Sequence, residues 1–171
     1  MSLAEDPRLY PRELLSCLVR SKVDFVLIGA LAATLHGSPV RTNDADICPK
    51  WNAPNLRRLA AALSELEARI YSATDPGGVP FKPDETMLAA SEIWNLITKF
   101  GRLDISFKPS GTTGYEDLMR DAREIDVGGN ITVSVASLLD IVRSKEAANR
   151  DKDRLVLPLL REMLDRFGES P

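Results

Sequence analysis

Residues 23–29, VDFVLIG, are nearly all apolar and rich in strand formers, and they run straight into the alanine- and leucine-rich segment ALAATLHG. A strand without polar alternation is one buried on both faces, so its sheet needs helices above and below. The helical segment spans about two turns before Gly37 and Pro39 end it. That junction of strand, glycine and short helix fixes the style of the rest. Residues 8–20 place Leu14, Leu15 and Leu18 at helical spacing. RTNDADICP reads as a second strand, closed by Pro49. PNLRRLAAALSELEARI, residues 54–70, reads as a helix with Pro54 in its first turn and Leu56, Leu59, Ala60, Leu63 and Leu66 on one stripe.

Residues 71–86, YSATDPGGVPFKPDET, contain two glycines and three prolines and predict a long irregular loop, functional or mobile, that could close over a substrate. EIWNLITKFGRLDISFKP predicts a hairpin turning at residues 99–102. REIDVGGNITVSV predicts a second, turning at Gly128, Gly129 and Asn130. The tail predicts two helices with a break near residues 149–153. The expected fold class is α/β (α+β): a small mixed β-sheet flanked by helices. At 171 residues the chain fits one domain. Its core would cover about residues 22–134 and a C-terminal helical segment about 135–168.

The chemistry concentrates in NDADI. Asp44 and Asp46 share one face of their strand while Ala45 and Ile47 take the other. Like charges that close raise each other's proton affinity or call for a cation between them. RLDISF repeats the pattern, with Leu103, Ile105 and Phe107 on one face and Asp104 and Ser106 on the other. If these strands are neighbours, three carboxylates converge, a hard-oxygen set suited to magnesium and to a two-metal centre. Gly29 permits a tight turn into a helix start whose free N–H groups can meet a phosphate. Lys145 follows Leu138, Ile141 and Val142 by seven, four and three residues, so it lies on its helix's apolar stripe. A lysine there snorkels or needs an anion, which a triphosphate would supply.

Bland roles fit the other candidates. His36 sits where a cation caps a helix C-terminus, Cys48 is a small buried residue, and Trp94 and Phe100 are packing aromatics.

GA after a strand, DAD about fourteen residues on, and a lone aspartate on a later strand resemble the polymerase-β-type nucleotidyltransferase superfamily. HGSPVRTNDADI and KEAANRDKDRLVLPLL are similar to stretches of the minimal bacterial AbiEii/MenT-like toxin nucleotidyltransferases. The resemblance runs over about residues 22–162 and implies a nucleotidyltransferase fold with C-terminal helices. It implies Asp44, Asp46 and Asp104 as catalytic metal ligands for Mg²⁺, with Mn²⁺ able to substitute. It also implies Gly29, Ala30, Arg41, Lys145 and Asp153 around the nucleotide; alternatively ANRDKDR is mainly a charged helix face, and Asp153 positions Lys145 or Arg150. Ala30 stands where the family usually has glycine or serine, so only its backbone N–H remains for phosphate. The implied reaction moves an NMP from a nucleoside triphosphate to a hydroxyl of a tRNA 3′ end or a protein, in a toxin paired with an antitoxin. A small-molecule transferase of the aminoglycoside type and a catalytically silent binding partner are the alternatives.

A formal net charge of −3 provides no global basic field for nucleic acid, so a tRNA enzyme should gather Arg57, Arg58, Lys82, Lys108 and Arg123 around its cleft. Two separated cysteines, Cys17 and Cys48, suit a reducing cytoplasm. The first fifteen residues lack the order of a signal peptide, and no apolar run approaches the ~20 residues of a membrane span.

Overall fold

The computed structural model describes residues 7–167. The first six residues, part of the segment read for a signal peptide, and residues 168–171 lie outside it.

The apolar run becomes β1 (Phe25–Ile28), followed at once by α2 (Gly29–Leu35), while the preceding amphipathic segment is α1 (Pro11–Arg20). DADICP forms β2 (Asp44–Pro49). It pairs antiparallel with β1, so that Ile28 faces Asp46 and Leu27 faces Ile47. β5 (Ile93–Thr98) and β6 (Gly101–Ser106) are the first expected hairpin, and β7 (Arg123–Asp126) and β8 (Thr132–Val135) the second. With β3 (Arg69–Ser72) and β4 (Asp75–Pro80), the eight strands form one mixed sheet in the order β4-β3-β5-β6-β2-β1-β8-β7, in which β2·β6 and β1·β8 are the parallel pairs.

Both faces of the sheet feed the core, the one with Val26 and Cys48 and the other more extensively. Leu27, Ile47, Leu103, Ile105 and Leu96 are buried there. α1 packs against α3 (Ala53–Glu65), presenting Leu14, Leu15 and Leu18 against Leu59 and Leu63 of the same buried cluster. α2, α6 (Leu138–Ala148) and α7 (Asp151–Phe167) pack as a second helical group. Asn149, at φ +48°, makes the sharp turn between α6 and α7 at the predicted break. His36 does more than cap α2: its Nε2 lies 2.8 Å from the Ala136 carbonyl oxygen and ties the helix end to β8.

Two expectations fail. The helix read over residues 54–70 stops at Glu65, because Glu67 turns left-handed at φ +54° and the Ala68 N–H bonds back to the Leu63 carbonyl. Chain reversal without glycine or proline leaves little local signal. The loop expected over residues 71–86 is largely ordered: β3 (Arg69–Ser72) and β4 (Asp75–Pro80) form a hairpin, and α4 (Glu85–Ala89) follows with Asp84 as N-cap. β4 tolerates Pro76, Gly77, Gly78 and Pro80 because it is the edge strand, where a missing N–H breaks no ladder. None of residues 72–86 lines the cleft described next.

Candidate active site

β2 and β6 run parallel with Asp46 directly opposite Asp104, so the convergence that depended on neighbouring strands is present. Asp44 lies on the same face. The Thr42 hydroxyl donates to Asp44 Oδ1 at 2.8 Å and fixes that carboxylate. Asp104 stands 3.7 Å from Arg102 Nη2, and its Oδ1 is buried without a hydrogen-bond partner. Burial, then the Asp44 and Asp104 charges, push the Asp46 carboxyl up to about 7, while Lys152 and Lys145 pull the other way. Burial also lifts Asp104 to about 6; Arg102 opposes the shift and Asp44 adds to it.

Gly29 packs on this cluster. A Cβ built on it would lie 2.5 Å from Asp46 Oδ2, and its φ of +72° favours glycine independently. The tight turn expected of Gly29 is therefore also a close approach of backbone to carboxylate. The N-cap position of α2, Ile28, offers no side-chain cap to the N–H groups that follow. Gly29, Ala30 and exposed Arg41 line the same cleft of about 610 Å³ as the three aspartates.

Lys145 lines it too, with its side chain 16% exposed and its Nζ 3.6 Å from Asp153. The anion that its place on an apolar stripe demanded is thus supplied within the chain. Asp153 lies behind the cleft rather than in it. Its side chain is fully buried, and both its oxygens are held by the Arg150 guanidinium, at 2.8 and 3.2 Å. Burial works against its charge, but the Arg150 hydrogen bonds and the Lys145 charge outweigh that and hold the carboxyl below its usual range. The residue read as a nucleotide contact is placed to position two cations.

Arg150 and Lys152 also line the cleft, and Lys152 lies close enough to act on Asp46 and Asp104. Sequence reasoning took Lys152 only as part of a charged helix face and named Arg150 only as a residue that Asp153 could position. The available signal was Asp153, which begins a buried stripe with Leu157 and Leu160 and so turns its neighbours toward the site. Cys48 is buried, as read. Trp94 stacks on Phe81 at 6.0 Å and Phe100 packs against the core, so neither is committed to the cleft. Arg57 pairs with Glu85 and Arg58 with Asp24; none of the five cations expected around an RNA-binding cleft lines it.

A magnesium centre has a suitable donor set here: three carboxylates on one face, one with a buried oxygen that accepts no hydrogen bond. As the side chains stand, no group of three or more His, Cys, Asp or Glu among the described residues is arranged to hold an ion. The chemistry of the donors fits a hard cation, and their present spacing does not enclose one.

No protein-family model and no curated protein matches the sequence. Similarity emerges in structure. A candidate nucleotidyltransferase from Thermotoga maritima superposes with a TM-score of 0.51 at 19% identity, over 91% of this chain and 90% of that one. The lincosamide antibiotic adenylyltransferase LnuA, solved with lincomycin bound, superposes with a TM-score of 0.59 at 16% identity, over 92% of this chain and 99% of that one. At such identities the likeness is one of fold, and the fold is that of the nucleotidyltransferases.

Proposed function

We propose that this protein is a Mg²⁺-dependent nucleotidyltransferase that moves an NMP from a nucleoside triphosphate to an acceptor hydroxyl. The observation that carries the reading is the register of β2 and β6, which sets Asp46 against Asp104 on the face of Asp44, in one cleft with Gly29, Lys145 and Lys152. In the reaction the acceptor oxygen bonds to the α-phosphorus and the bond from that phosphorus to the bridging oxygen breaks. The electron pair departs with pyrophosphate.

Asp44, Asp46 and Asp104 would hold the magnesium, or manganese in its place, which when bound supplies charge neutralisation and orientation of the phosphate oxygens. Thr42 keeps Asp44 in place for that role. Asp104, the third carboxylate of the set, would help activate the acceptor hydroxyl. Lys145, Arg150 and Lys152 face the polyphosphate, and Asp153 holds the first two in position. Gly29 and Ala30 offer backbone rather than side chain, so the missing serine hydroxyl costs one contact. Retention of all three carboxylates speaks against a silent binding partner, since a decayed site loses its acids without penalty.

The acceptor we favour is a small molecule. A cleft of about 610 Å³ has the size of small-ligand sites, and the similar fold of LnuA carries a bound antibiotic. A second reading, a tRNA 3′ end or protein hydroxyl modified by a toxin under an antitoxin's control, draws on exposed Arg41, Arg150 and Lys152 at the cleft. The two unpaired cysteines fit work in the cytoplasm, and among the described residues no helix is long and apolar enough to cross a membrane.

The test incubates the protein and an Asp44→Ala/Asp46→Ala control with each labelled NTP, Mg²⁺, and either total tRNA or a panel of hydroxylated antibiotics. Label on a small molecule with wild type alone supports the first reading, and label on RNA or protein the second. No transfer together with no NTP binding refutes both.

A further inference from the structure

β5 carries two residues that its place in the sheet does not explain. Alternation in IWNLIT sets Trp94 and Leu96 on the packed face, opposite Ile105 and Leu103, and turns Ile93, Asn95 and Ile97 to the face of the aspartates. Ile97 is buried there, but Ile93 is 58% exposed and Asn95 is exposed as well. Asparagine is disfavoured inside strands, and an isoleucine left in water adds little to folding. Their neighbours supply a reason for both. Asn95 pairs directly with Asp104 and Ile93 with Ser106, which sets the paired Cβ atoms about 5 Å apart. All four residues line the cleft.

Sheet order gives the cleft two sides. β6 lies between β2 and β5, so Asp104 has Asp44 and Asp46 to one side and Asn95 with Ile93 to the other. The groups that face the polyphosphate belong to the β2 side. Gly29 packs on Asp46, α2 contacts both β2 and α6, and Lys145 and Lys152 act on Asp46. In an in-line displacement the attacking and leaving oxygens stand on opposite sides of the phosphorus. With pyrophosphate leaving toward those lysines, the acceptor oxygen arrives across Asp104, from β5. That side holds no free positive charge. Among the described residues no cation of β5 or β6 lines the cleft. Arg102 shares the face, but its guanidinium lies 4.0 Å from the centre of the Tyr71 ring and 3.7 Å from Asp104.

We propose that Ile93 and Asn95 select the acceptor: the isoleucine packs on an apolar face of a hydroxylated small molecule, and the asparagine amide hydrogen-bonds a polar group beside the reacting hydroxyl. The proposal rests on the nucleotidyl-transfer reading and adds to it a place and a chemistry for the acceptor. That acceptor carries an apolar face and no phosphate, because Asp104 repels an anion for which no cation on this side compensates.

The experiment first finds by calorimetry which NTP the full chain binds in Mg²⁺. It then measures transfer of label from that NTP to chloramphenicol, erythromycin, kanamycin and total tRNA, for wild type, Ile93→Ser and Asn95→Ala. Wild type should label chloramphenicol or erythromycin, which present apolar faces, in preference to kanamycin and RNA. Each substitution should raise the KM of the labelled antibiotic about tenfold and leave the NTP dissociation constant within about twofold. Both positions are exposed, so the variants should melt within about 2 °C of wild type. An antibiotic KM unchanged in both variants overturns the subsite, and so does an NTP dissociation constant that rises in step with it. Label confined to kanamycin, RNA or the protein itself overturns it too, as does bound NTP with no label transferred. Failure of wild type to bind any NTP sinks the transferase reading itself, a result distinct from all of these.

Discussion

β2 and β6 each have two faces, and the faces live under opposite rules. On one, Ala45, Ile47, Leu103 and Ile105 are almost completely buried among apolar neighbours, where each contributes to folding. On the other, one residue away in each case, Asp44, Asp46 and Asp104 crowd like charges together at the expense of stability. Strand alternation lets one hexapeptide serve both, and the difference teaches that the site is tolerated because the opposite face is well packed.

That contrast can be broken from either side. The largest effect should come from Asp44→Ala with Asp46→Ala, which is expected to cut label transfer by about 10³-fold or more while leaving a cooperative melt. Ile47→Ala, on the packed face, should cost about 3 kcal/mol, read as a fall in Tm of roughly 6–12 °C. Activity per folded molecule should stay near wild type. An Ile47→Ala protein that melts normally would show the two faces to be less different than described.

Gly29→Ala probes the boundary between them. The clash with Asp46 and the positive φ together should cost about 2 kcal/mol. In an Asp46→Ala background only the backbone part should persist, about 1 kcal/mol, so a double-mutant cycle measures the contact itself. Equal costs in both backgrounds would remove Asp46 from the explanation.

The smallest effect is a matter of pH. In the folded chain the Asp46 carboxyl is pushed up from 3.8 to about 7. Below the unfolded value both states hold the proton and there is no penalty. Between the two values the folded state keeps a proton that the unfolded state has lost, so stability falls as pH rises, and it levels off above about 7. Asp46→Asn escapes that fall. In chelator-treated buffer it should gain about 1–2 kcal/mol at pH 8, roughly 2–8 °C in Tm, and little near pH 4. A gain of the same size at both pH values would assign it to something other than the charge.

Much of this was legible in the residues. Alternation in DADI and LDIS marked which side chains share a face, and the apolar run of β1 marked a covered central strand. What could not be read was decided at a distance. β4 is a strand because it needs only one neighbour, a fact of sheet order that its prolines conceal. α3 is stopped by a left-handed Glu67 just beyond its end, which composition does not flag. Asp153 was visible as a carboxylate close to Lys145 and Arg150, but whether it touched ligand or supported those residues depended on Arg150 and Lys145 lying between it and the cleft.

The pairing of Asp46 with Asp104 also has a temporal side. The partners are 58 positions apart (104 − 46), and α3, β3, β4, α4 and β5 are all made between them. Lys145 and Lys152 emerge from the ribosome later still. A nascent chain therefore carries two of its acids long before it owns a place to put them, and no shortened product ending before α7 holds the whole set. Contacts of such sequence separation close late in folding. Under the proposed function, the cleft is therefore complete only when synthesis is nearly finished, and label transfer would report that the chain has been made and paired in register.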